Sequence, residues 1–251
     1  MNVCAVVCAY VLLLTSALVS EASEEALFLE SDAAHSDRVL RVPEPMVYDL
    51  VRPLGVKQGD LEVNALVDVS AATGDVSWAP ELEYGLADDI GVELELPIEN
   101  TRHERYKLAI QQTLQVSSAR GMATGWQAFV DMHKHSKTVS VDATYIVAKR
   151  WTEPWSSLSM LGLRVQDVNR RARAGYLLNH SVFYDASTRV TLGMEINQEI
   201  SRGGTWRYRL TPQVHFDASE RYTLQMGMAV STLNPAQSAE KLWSFRLIRL
   251  F

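Results

Sequence analysis

Three histidine-centred groups supply the residue types that bond-making chemistry needs. Asp131, His133 and His135 stand at i, i+2 and i+4 in the run DMHKHSK. On a β-strand that spacing puts all three side chains on one face, where two imidazoles and a carboxylate can hold zinc or nickel. No fourth ligand lies nearby, and a solvated polar loop accounts for the same residues. His35-Ser36, His135-Ser136 and His180-Ser181 each set a base beside a nucleophile. Neighbouring residues of a strand point to opposite faces, so an adjacent pair cannot do what a His-x-Ser spacing does. Gly203-Gly204 reads as a hairpin signal and not a phosphate cradle, because no helix follows it. The sequence therefore assigns no catalytic residue, no metal and no cofactor, and the expectation is a protein that is not an enzyme.

Charge at alternate positions is the stronger pattern. Glu62, Asp68, Glu81, Glu83, Glu93 and Glu95 fall in one phase of early segments, and Arg207, Arg209, His215 and Arg246 in one phase of late segments. The elements that carry them alternate apolar and polar residues with a period of two, as half-buried strands do. Leu61, Val63, Ala65, Val67 and Val69 form one apolar row; Val76, Trp78, Pro80, Leu82, Tyr84 and Leu86 another; Ile90, Val92, Leu94, Leu96 and Ile98 a third. Similar rows recur through Tyr106–Leu114, Trp126–Met132, Val139–Val147, Val190–Ile196, Trp206–Phe216 and Leu224–Val230. The runs Trp155 to Val165 and Arg173 to Phe183 show no clear phase. With the last ten residues, LWSFRLIRLF, the count is about twelve strands, an even number suited to an antiparallel barrel. A strand that ends at Phe251 needs a partner, and closure onto the first strand supplies one.

Composition narrows the class. With 47% hydrophobic residues and a mean hydropathy of -0.07, the chain is neither a helical membrane protein nor disordered. A net charge of -6 argues against nucleic acid as a partner. Val3 to Val19 is uncharged and mostly apolar, and Ser20-Glu21-Ala22 suits signal-peptidase cleavage. Residues 1–22 are read as a signal peptide, with an uncleaved anchor as the alternative. Both cysteines, Cys4 and Cys8, lie in that segment, which removes thiol chemistry from the rest. Residues 23–58 are acidic, then proline-containing, without a period. They read as a lead-in or a short plug, and 59–251 as the barrel.

LWSFRLIRLF resembles the closing strand of bacterial outer-membrane β-barrels, apart from Arg249 where an apolar residue is usual. The segments DLVRPLGVKQGDLEVNALVDVS, WAPELEYGLADDIGVELELPIEN and PQVHFDASERYTLQMGMAVS, with FRLIRLF, resemble a group of uncharacterised Gram-negative outer-membrane barrels. That group is loosely related to the transporter-like family named after the MetA pathway of phenol degradation. The resemblance spans roughly residues 47 to 251. It implies an all-β, antiparallel up-and-down transmembrane barrel in the bacterial outer membrane, lipid as a partner, and transport of an unidentified small solute, apolar or aromatic ones included. Leu242 to Phe251 would then also address the outer-membrane assembly machinery. In such a barrel the alternating charges line the lumen, and closure sets an acidic wall against a basic one. Pairing of those charges in a non-conducting barrel is the alternative, and a soluble periplasmic β-protein the second.

Overall fold

The computed structural model describes residues 40–48, 50–233 and 239–251. The signal-peptide expectation, the lead-in up to residue 39 and the His35-Ser36 pair lie outside them. Twelve long strands form the wall: β1 (Leu61–Ser70), β2 (Val76–Ala87), β3 (Ile90–Glu95), β6 (Arg105–Ser117), β7 (Met122–His133), β8 (Val139–Thr152), β9 (Trp155–Gln166), β10 (Arg173–Asp185), β11 (Val190–Ser201), β12 (Trp206–Asp217), β13 (Tyr222–Ser231) and β14 (Glu240–Leu250). Two short pieces, β4 (Ile98–Glu99) and β5 (Arg102–His103), extend β2 beyond β3. Every long strand pairs antiparallel with its sequence neighbours, and β14 pairs with β1 from Glu62↔Leu250 to Ser70↔Leu242. One sheet closes on itself, and among the described residues no second sheet is present for its apolar face to pack against, as a soluble periplasmic β-protein would need.

The period of two becomes two surfaces. Leu82, Leu94, Leu108, Leu161, Leu192, Met226 and Phe245 are exposed on the outer face, whereas Glu83, Gln111, Gln127, Thr211 and Ser244 are fully buried on the inner one. Water would penalise such an exterior; lipid rewards it. Among the described residues no helix is long and apolar enough to cross a membrane. Exposed aromatics collect towards both rims. The Trp155 ring lies 4.9 Å from that of Tyr184 at the rim where β14 ends, and the Trp206 ring 5.1 Å from that of Tyr208 at the opposite rim. Arg249, the awkward residue of the closing strand, lies at the terminal rim with its guanidinium 4.3 Å from the Phe251 ring and 5.4 Å from that of Tyr222. Stacking on aromatics hides its charge from the acyl chains.

Two departures from the period have local causes. The expected strand Ile90 to Ile98 breaks after Glu95, because Pro97 has no N–H for the ladder; the chain resumes as β4 opposite Trp78. A bulge between Thr113 and Gln115 shifts the register against β7 and leaves Gln115 exposed.

The segment 40–58 runs inside the barrel. It starts at the terminal end, where Arg41 meets Asp217 at 3.2 Å and its carbonyl accepts from Arg150. It descends to mid-lumen and returns to the same end, where the Gly59 N–H donates to the Gly85 carbonyl at 2.9 Å. Leu50 and Leu54 are buried against the inward residues Ala123, Ile146, Ala148, Leu158, Met160 and Phe183. Val51 joins Ala109 and Phe129 in a second cluster. These contacts fix the phase of β9 and β10. Leu158, Met160, Leu177 and Phe183 are apolar on the inner face while Ser157, Ser159 and His180 are polar on the outer one, so the alternation disappears.

Candidate functional site

Backbone polarity dictates how the inner segment is held. Its residues form no regular structure, so their N–H groups need acceptors from the wall. Glu195, fully buried on β11, serves three of them: its carboxylate accepts from the N–H groups of Met46 at 2.9 Å, Val47 at 3.1 Å and Tyr48 at 2.9 Å. Asn197 and Gln213 donate to it as well, at 2.8 and 3.2 Å, so five donors converge on one buried anion. Gln111 accepts from the Val51 N–H at 3.2 Å and donates back to the Arg52 carbonyl, and Thr113 accepts from the Gly55 N–H at 2.9 Å. Close approach also needs missing side chains. A Cβ on Gly85 would lie 2.0 Å from the Lys57 carbonyl oxygen, and one on Gly91 2.9 Å from the Arg52 Cγ.

Arg52 carries the segment's charge into the wall. Its guanidinium lies 2.6 Å from Glu62 and 3.7 Å from Glu83. Arg246 of β14, 1% exposed, approaches the same cluster from the other side, 3.4 Å from Glu81 and 3.6 Å from Glu83, and donates to Asn64 at 3.1 Å and to the Pro45 carbonyl at 3.3 Å. Two arginines thus share three carboxylates where β14, β1 and β2 meet. Buried charges survive only with such partners.

Towards the loop end the interior opens. A cavity of about 160 Å³ is lined by Glu95, Arg105, Lys107, Asp131, Asp142 and Arg164, with Phe129 on its wall and Tyr48 of the inner segment among its lining residues. Oppositely charged pairs cross it. Arg105 lies 3.1 Å from Asp131, Lys107 pairs with Glu95 and stands 3.5 Å from Glu93, and Arg164 donates to Asp142 at 2.8 Å and to Glu199 at 2.9 Å. Elsewhere in this half Arg209 forks onto Asp68 at 2.6 and 2.8 Å, with Ser244 accepting from it at 2.8 Å. The whole can bind and orient charged groups in a confined, partly dry space.

The charges singled out from sequence occupy these places: Glu62, Glu81, Glu83, Glu93 and Glu95 are buried on the inner face, as are Arg209, His215 and Arg246. Asp68 meets Arg209, and Arg207 is half-buried opposite Glu199 in the β11–β12 register. Closure brings Arg246 beside Asn64 and Leu66. Arg52, Lys107, Asp142, Arg164, Glu195 and Glu199 were missed. Arg52 has no period around it, and Arg164 lies in a run whose phase was unreadable. Inward glycines such as Gly91 were the available signal that something approaches the wall. Of the metal candidates, His133 ends β7 and His135 lies 3.5 Å from Glu104; among the described residues no metal-binding group of three gathers. His180 does meet a serine, Ser159 of β9, whose Oγ is 2.8 Å from its Nδ1. The pair is cross-strand, so spacing within one strand could not reveal it.

A closed barrel with an apolar exterior, aromatic rims and a charged interior is an outer-membrane β-barrel of porin-like architecture. Within that class the chain belongs to the HAEPLYID-like family, whose model matches residues 38–250. No curated protein sequence matches it. Among solved structures it is similar to NanC porin, with 8% identity, a TM-score of 0.62, and coverage of 75% of this chain and 99% of that one. KdgM porin gives 9% identity and a TM-score of 0.60 over 76% and 99% of the two chains. An outer-membrane channel from Pseudomonas putida F1 gives 12% and 0.59 over 84% and 100%. Identities this low speak to the fold.

Proposed function

We propose that the protein is a passive outer-membrane conduit for small polar or charged solutes, entered from the loop end and constricted by segment 40–58 acting as an internal plug. The observation that carries this reading is the charged cavity of about 160 Å³ floored by the inner segment. The charges that line it, Glu95, Arg105, Lys107, Asp131, Asp142 and Arg164, make it hospitable to ions and hydrogen-bonding solutes and hostile to hydrocarbons. The likeness to channel-forming barrels supports it. The resemblance to phenol-degradation barrels pointed to apolar or aromatic solutes; the lining of the cavity favours the polar class. The strand ending at Phe251 retains its proposed second role as the address read by the assembly machinery.

One observation favours the alternative, a non-conducting barrel. Arg52, Arg246, Glu62 and Glu83 are all buried and mutually paired beside a segment packed as tightly as a core. Swelling of proteoliposomes separates the two readings. The conduit predicts entry of small zwitterions, sugars and acidic sugars such as the oligogalacturonate seen with KdgM porin, at rates well above that of a non-polar aromatic of equal size. Swelling by none of them would establish the non-conducting barrel.

A further inference from the structure

The outer belt has a polar interruption that neither conduction nor plugging uses. On β10 the outward residues run Tyr176, Leu178, His180, Val182, Tyr184, so His180 is equidistant from the two rim tyrosines, about 10 Å of depth from each for a strand tilted as barrel strands are. Its register partner on β9 is Ser159, and Ser157 follows one step nearer the terminal rim, where its Oγ accepts from the Trp151 indole at 2.9 Å. At mid-depth there is no water. An imidazole is both donor and acceptor, and a hydroxyl has a second lone pair, so the Ser159–His180 hydrogen bond of 2.8 Å satisfies half of what the pair offers. Acyl chains cannot satisfy the rest.

A serine beside a histidine also suits acyl transfer. Depth argues against it here: lipid esters lie at the edge of a hydrocarbon core about 30 Å thick, near the tyrosine rims and far from His180. Among the described residues, moreover, the hydrogen bonds of His180 include no carboxylate that would orient it.

We infer that the β9–β10 face is where two copies of this chain pair in the membrane, with His180 and Ser159 at the centre of the interface. Both copies must insert in the same sense, so their two-fold axis runs along the membrane normal and every residue meets residues at its own depth. His180 of one copy therefore faces Ser159 of the other. With the Ser159 hydroxyl donating to Nδ1 within a copy, the His180 Nε2–H donates to the partner's Ser159, and the reciprocal bond closes a ring of four hydrogen bonds. Relief supports close approach: Ser157, Ser159 and Val147 keep the centre low, with Leu161 and Tyr145, 58% and 47% exposed, rising on the loop side and Trp155, 47% exposed, on the terminal side. Small residues around a polar centre are what membrane interfaces use.

Sedimentation equilibrium of the full chain in density-matched detergent tests this, with heat-modifiable gel mobility confirming that each variant is folded. The wild type is expected to dimerise. His180→Leu and Ser159→Ala are each expected to raise the dimer Kd by about tenfold, the effect of one or two interchain hydrogen bonds in a membrane, while Leu82→Ala on the opposite wall leaves it unchanged. A wild type that stays monomeric at the highest protein-to-detergent ratio, or a dimer indifferent to both substitutions, overturns the inference. Association with a different outer-membrane protein alone overturns it too.

Discussion

The terminal half and the loop half of the interior are built from the same alternating strands and hold opposite contents. In the terminal half the inward positions include Ile146, Ala148, Leu158, Met160 and Phe183, and the chain's own segment fills the space. In the loop half the inward positions are Lys107, Asp142, Arg164 and Arg209, and a cavity remains. The difference lies in what each set of side chains can satisfy without help. Apolar inward residues require a partner to exclude water. Charged ones find partners across neighbouring strands and tolerate solvent between them. One architecture thus holds a packed segment against one set of inward side chains and a charged cavity among another.

Substitutions in the two halves should separate accordingly. The largest effect is expected from Arg52→Ala, which leaves Glu62 and Glu83 buried together after losing their shared cation; a loss of about 3–5 kcal/mol follows from breaking one side of a buried ion pair. Urea unfolding in liposomes reads the loss, and limited proteolysis should cut within residues 44–56. Phe183→Ala removes a fully buried ring from the docking patch and should cost about 3 kcal/mol, with the same proteolytic signature. If the segment stayed protected in both variants, the apolar patch and the arginine would not be what retains it.

Glu195→Gln keeps one acceptor oxygen and loses the charge that gathers Met46, Val47 and Tyr48, so about 2 kcal/mol of docking should go. Hydrogen exchange at those three amides is the direct readout, and unchanged protection would argue against the anion as the anchor. Arg164→Ala, in the loop half, should cost about 1 kcal/mol or less in stability because its ion pairs border the open cavity. Its effect belongs in ion selectivity: reversal potentials across an asymmetric salt gradient should shift towards cations as Asp142 and Glu199 lose their counter-ion. A large stability loss without a selectivity shift would erase the contrast between the halves.

The barrel was legible because lipid and lumen impose different chemistry on alternate residues. Leu82, Tyr84 and Leu86 against Glu81 and Glu83 is that rule written in five residues. Closure was legible in the final strand. The inner segment was not, because residues such as Pro45, Met46 and Val51 have no period and are held by side chains far away in sequence. Its sequence reads equally as a lead-in or a short plug; Leu50 and Leu54 pack against the apolar lining of β8, β9 and β10. The same lining blurred the phase of β9 and β10 and so hid Arg164. Cross-strand chemistry, as in Ser159 and His180, depends on register, which no spacing within a single strand records.

Planar-bilayer conductance of the full chain beside a variant lacking residues 44–56, each shown folded by heat-modifiable mobility, tests the central claim most directly. The account predicts small conductance steps for the full chain and larger, stable, ohmic steps for the variant. A variant that stays closed, or a full chain that conducts as well as the variant, would contradict it.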